Sequence, residues 1–266
     1  MLSPFLCLTI KVMTHVNKYL KKNSPLWLTI CLVYLASQAS YAQFWNEEDE
    51  GYLYKKEFTY GINFNTNGGL IGGATFKFAK VINQKMYHSY SFEFVHVKDP
   101  KEQKATSFLS GNNFVPEKKN YFYILRPQYG REIVLFKKAK EQGVQVNWIN
   151  SVGPTIGLLA PYLIQYRYPD NIVKTEPYDP AIHQSFDGII GAGSIFESLV
   201  KSKIKPGASL KSSLSFEFGT FNNSVTGFEA GFMLDTFFSD IQLMYDTPTK
   251  RVYTSAFVTL FYGFRK

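Results

Sequence analysis

Beyond residue 42 the sequence contains no cysteine; Cys7 and Cys31 both lie within the first 42 positions. If that leader is removed, disulfides, thiolate zinc sites and cysteine nucleophiles are excluded from what remains. Charge is scarce too, at 19% of 266 residues, against 17% aromatic residues that include 24 Phe and 18 Tyr. Soluble surfaces carry more charge than this, and the aromatic surplus favours strands. After Ala42 no run of about 18 apolar residues occurs, which excludes a membrane-spanning helix from the rest of the chain. Nor is there a strong charge of either sign. The leader holds four lysines and no acid, so 29 − 4 = 25 basic residues face 21 acids, a net of +4. That is too mild to argue for a nucleic-acid partner.

The leader has the form of a signal peptide over residues 1–42. Lys18, Lys21 and Lys22 precede an apolar run from Leu26 to Ala36, and Ser40-Tyr41-Ala42 offers small residues where a signal peptidase cuts. Met13 is a second candidate start. Leu28-Thr29-Ile30-Cys31 has the outline of a lipobox, but Ile30 is bulky where that motif needs a small residue. Residues 43–55, with Glu47-Glu48-Asp49-Glu50, read as a solvated periplasmic tail that could also meet a basic partner.

What fills the rest is alternation at period two, in blocks of roughly 10 to 14 residues. Phe58, Tyr60, Ile62 and Phe64 oppose Thr59, Gly61, Asn63 and Asn65; Leu70, Ala74, Phe76 and Phe78 oppose Gly73, Thr75 and Lys77. Tyr90, Phe92 and Phe94 oppose Ser89, Ser91 and Glu93. The same pattern returns at 210–218, 227–235 and 252–264, and less regularly near 119–136 and 143–159. A soluble sandwich would be charged on its polar face. Here the polar face is Gly, Ser, Thr and Asn with isolated charges, as a narrow barrel interior requires, and the other face is uncharged and aromatic, as lipid requires. In lipid every backbone donor needs a partner, which forces the sheet to close. The expected fold is all-β: a closed antiparallel transmembrane β-barrel of about eight strands over residues 56–266, with long extracellular loops.

Connection lengths agree. Short turns are expected near Asn83-Gln84, Lys138–Gln142 and Asn222-Asn223, and long loops at about 99–118, 160–206 and 238–250; Thr66-Asn67-Gly68 is a short exception. Short turns at one end and long loops at the other mark an outer-membrane barrel with periplasmic termini. The 160–206 connection carries five prolines and the tyrosines Tyr162, Tyr166, Tyr168 and Tyr178, and Ile195–Val200 is spaced for a short helix. A loop this long is a docking surface for another envelope protein, through Tyr162, Tyr166, Tyr168, Tyr178, Phe196 and Leu199, or a plain lid over the barrel mouth.

Catalytic signals are weak. His88 and His96 share the apolar parity of their strand, which suits interfacial placement. His88 adjoins Ser89, but strand neighbours point to opposite faces, so the histidine–serine pair of a lipid-modifying barrel enzyme is not formed. Gly68-Gly69-Leu70-Ile71-Gly72-Gly73 has no Lys-Ser/Thr or helix after it and reads as a tight hairpin. No metal, cofactor or catalytic residue is assigned. The inward-facing Lys77, Glu93, Lys211, Glu217, Glu229 and Asp235 read as a paired plug that sets register, with a small gated pore as the alternative.

Ile204-Lys205-Pro206-Gly207-Ala208-Ser209-Leu210-Lys211, followed by Leu214-Ser215-Phe216-Glu217-Phe218-Gly219, resembles a segment of small outer-membrane barrels of Bacteroidota. Leu125-Arg126-Pro127, Glu176-Pro177-Tyr178-Asp179-Pro180 and the terminal Phe261-Tyr262-Gly263-Phe264-Arg265-Lys266 are similar as well. These short fragments touch most of the chain after residue 42. Asp187–Ser194 departs from the pattern, which has a more polar or aromatic segment there. The resemblance implies a barrel of that lineage and an accessory role in an envelope machine for protein export or barrel assembly. It carries over no catalytic residue. The expected function is therefore a non-enzymatic outer-membrane subunit, in contact with lipid and with other envelope proteins; the alternatives are a small channel and, less favoured, a lipid-modifying enzyme.

Overall fold

The computed structural model describes residues 55–83, 85–137, 143–183, 185–218 and 224–266. The expected signal peptide, most of the tail, and the turn residues 138–142 and 222–223 lie outside the described residues. In chain order the strands are β1 (Lys56–Asn65), β2 (Gly69–Asn83), β3 (Met86–Val97), β4 (Ala105–Thr106), β5 (Asn113–Phe114), β6 (Asn120–Phe136) and β7 (Gln145–Pro161). They continue with β8 (Leu163–Arg167), β9 (Val173–Pro177), β10 (Ile189–Ala192), the helix α1 (Ile195–Val200), then β11 (Lys203–Phe218), β12 (Ser224–Ile241) and β13 (Lys250–Arg265).

Eight of these close a barrel in the order β1-β13-β12-β11-β7-β6-β3-β2. All neighbours are antiparallel, and β1 pairs with β13 from Glu57↔Arg265 to Asn65↔Phe257, which removes the sheet edge. The parity read from the sequence sets which side faces out. Phe58, Tyr60, Ile62, Phe76, Phe78, Tyr90, Phe92 and Phe94 are exposed on the outer wall, while Thr59, Asn63, Thr75, Lys77, Ser89 and Glu93 are buried within. In water so much exposed aromatic surface would be a liability. In hydrocarbon it is the solvent-matched face, and the barrel strands, of 10 to 18 residues, are long enough to cross it.

Several ladders carry a register shift near a strand end, and the β6–β7 pair is also interrupted in its middle. The β6–β7 ladder runs to Leu125↔Ile156 and resumes in the same register at Tyr129↔Val152. Pro127 and Pro154 stand between, and neither has an N–H to donate. Gly153 lets the two strands approach there, since a Cβ on it would lie 2.1 Å from the Pro127 carbonyl oxygen.

The long connections do not hang free. β8, β9 and β10 form a three-stranded sheet and β4 pairs with β5, so together they make a folded cap beyond one mouth of the barrel. Tyr162, Ile164, Tyr178, Ile189 and Phe114 form its core. Backbone bonds fasten it down: Tyr162 N donates to Lys119 O (2.9 Å), and Lys119 N to Leu243 O (2.8 Å). The irregular segment is narrower than the expected 160–206. Pro161 ends β7, and Pro206 pairs with Ile156 inside the barrel wall.

Candidate functional site

Two places on this scaffold concentrate chemistry, the lumen and the cap. All six charges expected inside, Lys77, Glu93, Lys211, Glu217, Glu229 and Asp235, are buried there. The alternation also brings in Glu57, Arg126, Glu132 and Arg265, which sequence reasoning missed. Glu57 and Arg265 sit at strand ends, beyond the clean part of the pattern. Arg126 and Glu132 lie on β6, whose inner face turns apolar at Phe122, Ile124 and Val134 and so hides its period.

The ten charges sort into two clusters. In the one nearer the cap, Arg126 clamps Asp235 through Nε–Oδ1 at 2.8 Å and Nη2–Oδ2 at 2.6 Å, and its Nη1 reaches Glu93 at 3.4 Å. Lys211 links Glu93 at 2.7 Å to Glu229 at 2.8 Å and lies 5.0 Å from the centre of the Phe257 ring. In the other, Lys77 contacts Glu132 at 3.2 Å and Glu57 at 3.8 Å. Arg265 holds Glu57 at 2.8 Å and also pairs with Glu217. The Asn147 amide donates to Glu132 (2.6 Å) and Glu217 (3.0 Å), joining the two halves of that cluster. Each cluster thus sets three carboxylates against two cations, and neutral donors such as Ser213, bonded to Glu229 at 2.7 Å, supply part of the difference.

Above the charges the lumen is apolar. Val95, Val97, Phe122, Ile124, Phe237, Ile241, Leu243, Met244 and Tyr253 pack into one cluster. Phe122 meets Phe237 edge-on at 5.2 Å, and Tyr253 lies 5.7 Å from Phe122, so three rings from β6, β12 and β13 fill the mouth. Charges below and rings above leave the lumen filled by its own side chains.

The cap's expected docking side chains divide. Tyr162 is only 1% exposed and Tyr178 is likewise interior, so these two hold the cap together instead of presenting a surface. The Tyr162 hydroxyl accepts from Val115 N at 2.9 Å, and the Tyr245 hydroxyl donates to the Tyr178 carbonyl at 2.9 Å. Tyr166 and Tyr168 are half-buried and lie edge to face at 5.1 Å. The helix α1 forms over the expected residues, with Leu199 half-buried and Phe196 81% exposed. Exposed apolar side chains that the sequence reading did not single out sit elsewhere on the cap, above all Phe108, at 92%, on the β4–β5 hairpin. That hairpin is pinned by Ser107 and Ser110, whose hydroxyls donate to the carbonyls of Ile189 and Ile190.

His183 is the cap's buried histidine. Its Nδ1 accepts from Asp179 N (3.0 Å), which leaves the proton on Nε2 to donate to Glu176 at 3.1 Å. The Tyr168 hydroxyl donates to the same carboxylate oxygen at 2.5 Å, and this bond, with His183 second, holds the Glu176 carboxyl below its ordinary range. At the cap's base, burial lowers the Lys118 ammonium, partly offset by its pairing with Glu102. On the outer wall His88 and Ser89 point to opposite faces, with Ser89 buried, so no histidine–serine pair is assembled there.

No family model matches the sequence, and no curated protein matches it. Among solved structures, Neisserial surface protein A is 8% identical, with 79% of this chain and 96% of that chain covered and a TM-score of 0.38. Ail, the attachment invasion locus protein of Yersinia pestis, is 10% identical, with 80% and 100% covered and a TM-score of 0.37. The N-terminal β-barrel domain of Pseudomonas aeruginosa OprF is 9% identical, with 80% and 98% covered and a TM-score of 0.32. The architecture stands on this chain's own closed ladder.

Replacing Arg126 by Met leaves Asp235 and Glu93 buried without their main partner, which is expected to cost about 3–5 kcal/mol. The measurement is the urea unfolding midpoint in lipid vesicles. Adding Glu93→Gln and Asp235→Leu to Arg126→Met is expected to recover most of the loss, because no uncompensated charge then remains.

The Glu176 carboxyl binds its proton less readily in the folded cap than in the unfolded chain. Its contribution is therefore complete above the ordinary carboxylate value near ~4.3 and is lost as pH falls through the lowered folded value. Protease resistance of the cap is expected to drop on acidification through that range in the wild type. In Glu176→Gln it is expected to be lower at neutral pH and less dependent on pH.

Proposed function

We propose that this protein is a non-enzymatic outer-membrane subunit that works through the folded cap on its extracellular mouth, docking on other envelope proteins. One observation carries this reading: the lumen is filled along its length, by two ion-pair clusters and a three-ring plug, while the cap beyond it is ordered and keeps large apolar side chains exposed. A barrel used for passage needs a wet path past Lys77, Glu93 and Glu229; these residues instead bond to one another's neighbours at 2.7–3.2 Å. A filled barrel is a rigid anchor, and anchors serve what they hold up. Here that is a small β-sheet with Phe108, Phe186 and Phe196 exposed. Exposed aromatics at the tip of an ordered element are the residues that most often dominate a protein interface. The accessory role in export or barrel assembly rests on the sequence resemblance, and the periplasmic orientation of the termini on the distribution of short and long connections.

The test is a mild-detergent pull-down of the tagged protein, with mass spectrometry of stoichiometric partners. Phe108→Ser and Phe196→Ser change exposed side chains only, so the barrel is expected to fold and migrate normally while partner recovery falls by about tenfold, as for the loss of an interface anchor. Partners recovered equally by wild type and both variants, or a wild-type protein that purifies alone, would remove the cap as the working surface.

A further inference from the structure

The outer wall is uncharged over most of its height; charges such as Asp240 and Arg251 sit at its cap end, and those at the opposite end are in register. Lys56 pairs with Lys80, Lys80 with His88, and His88 with Arg131, across four consecutive strands β1, β2, β3 and β6. All four share the lipid-facing parity, and Lys56, Lys80 and Arg131 are exposed. The row immediately towards the cap on the same strands is Phe58, Phe78, Tyr90 and Tyr129, wholly aromatic. An aromatic shelf over a basic row marks the boundary between hydrocarbon and headgroups, with rings at the interface and cations reaching past it. The row lies at the end of the barrel where β1 begins and β13 ends, away from the cap.

Facing like charges on neighbouring strands destabilise a sheet unless an anion sits between them. The described residues supply none. No described residue on the outward faces of β1, β2, β3 or β6 is acidic, and Lys56, Lys80 and Arg131 make no ion pair among the described residues. His88 is oriented by its Nδ1, 2.6 Å from the Tyr129 hydroxyl, and Nε2 has no partner among the described residues. Adjacent strands lie about 4.8 Å apart, so Lys80 and Arg131 start about 10 Å apart with His88 between them. That is a spacing long side chains close around one tetrahedral anion. We propose that Lys80, His88 and Arg131 bind the phosphate of an anionic phospholipid in the periplasmic leaflet, with the Tyr90–Tyr129 pair, 5.4 Å between rings, packed against its glycerol and upper acyl chain.

This inference shares with the function above only the placement and orientation of the barrel in the membrane, and the two fail separately because partner docking is read at the cap. The test uses the full purified protein in detergent with an equimolar mixture of phosphatidylglycerol and phosphatidylcholine, and native mass spectrometry of what stays bound. Wild type is expected to retain phosphatidylglycerol in preference by about tenfold or more, as two or three cations beside a phosphate allow. Lys80→Gln/Arg131→Gln, shown to be folded by heat-modifiable migration, is expected to lose that preference. Lys104→Gln/Lys250→Gln, which removes equal charge at the other end, is expected to keep it. If the double variant does not fold, Arg131→Gln alone is read in the same way. No preference in wild type, an unchanged preference in the Lys80/Arg131 variant, or an equal loss in the control would each overturn the proposal.

Discussion

Backbone N–H and C=O groups that enter hydrocarbon must find partners within the protein, because lipid offers none and each orphan costs several kcal/mol, about as much as a whole side-chain interaction. A sheet meets that demand only by closing on itself, as the β1–β13 pairing does here. Closure with eight strands then dictates the interior. The circle is too narrow to hold bulk water along its axis and too wide to be left empty, so inward side chains must fill it. Glycines, serines and threonines line the wall where strands crowd, and longer side chains from opposite walls meet across the middle.

Those longer side chains are charged, although a filled interior could have been apolar. Burying charge is costly, and the cost is offset only where geometry is good and remaining lone pairs are met. The Arg126–Asp235 clamp and the Lys211 bridge satisfy this condition, with Ser213 and Asn147 supplying neutral bonds to the surplus carboxylates. A cluster of this kind also fixes register. A one-residue slip of any strand would turn its aromatic face inward and its charges into lipid. Register and filling are therefore one constraint seen from two sides.

The alternation of Phe58 to Phe64, Tyr90 to Phe94 and Val252 to Phe264 made the barrel and most of its inward charges legible in the sequence, because one face meets lipid and the other does not. Legibility failed where that contrast fades. Phe122, Ile124 and Val134 face inward on β6 yet are as apolar as residues facing lipid, so Arg126 and Glu132 between them lost their parity marker. The cap strands β8, β9 and β10 are only four or five residues long, too short for a period to declare itself. Composition alone made Tyr162 and Tyr178 resemble a docking surface, whereas the Tyr162 hydroxyl meets Val115 and the Tyr178 ring and carbonyl meet Tyr245 in the cap's interior. The basic row on the outer wall was invisible in the one-dimensional sequence, since Lys80, His88 and Arg131 become neighbours only once three strands pair.

The central claim is that the filled lumen makes this barrel an anchor for its outer surfaces and not a conduit. The most direct measurement is single-channel recording of the purified protein in planar bilayers, with insertion confirmed by a fluorescent tag. The account predicts membranes that contain the protein and show no unitary current at neutral pH. Stable unitary currents from the wild-type protein would contradict it.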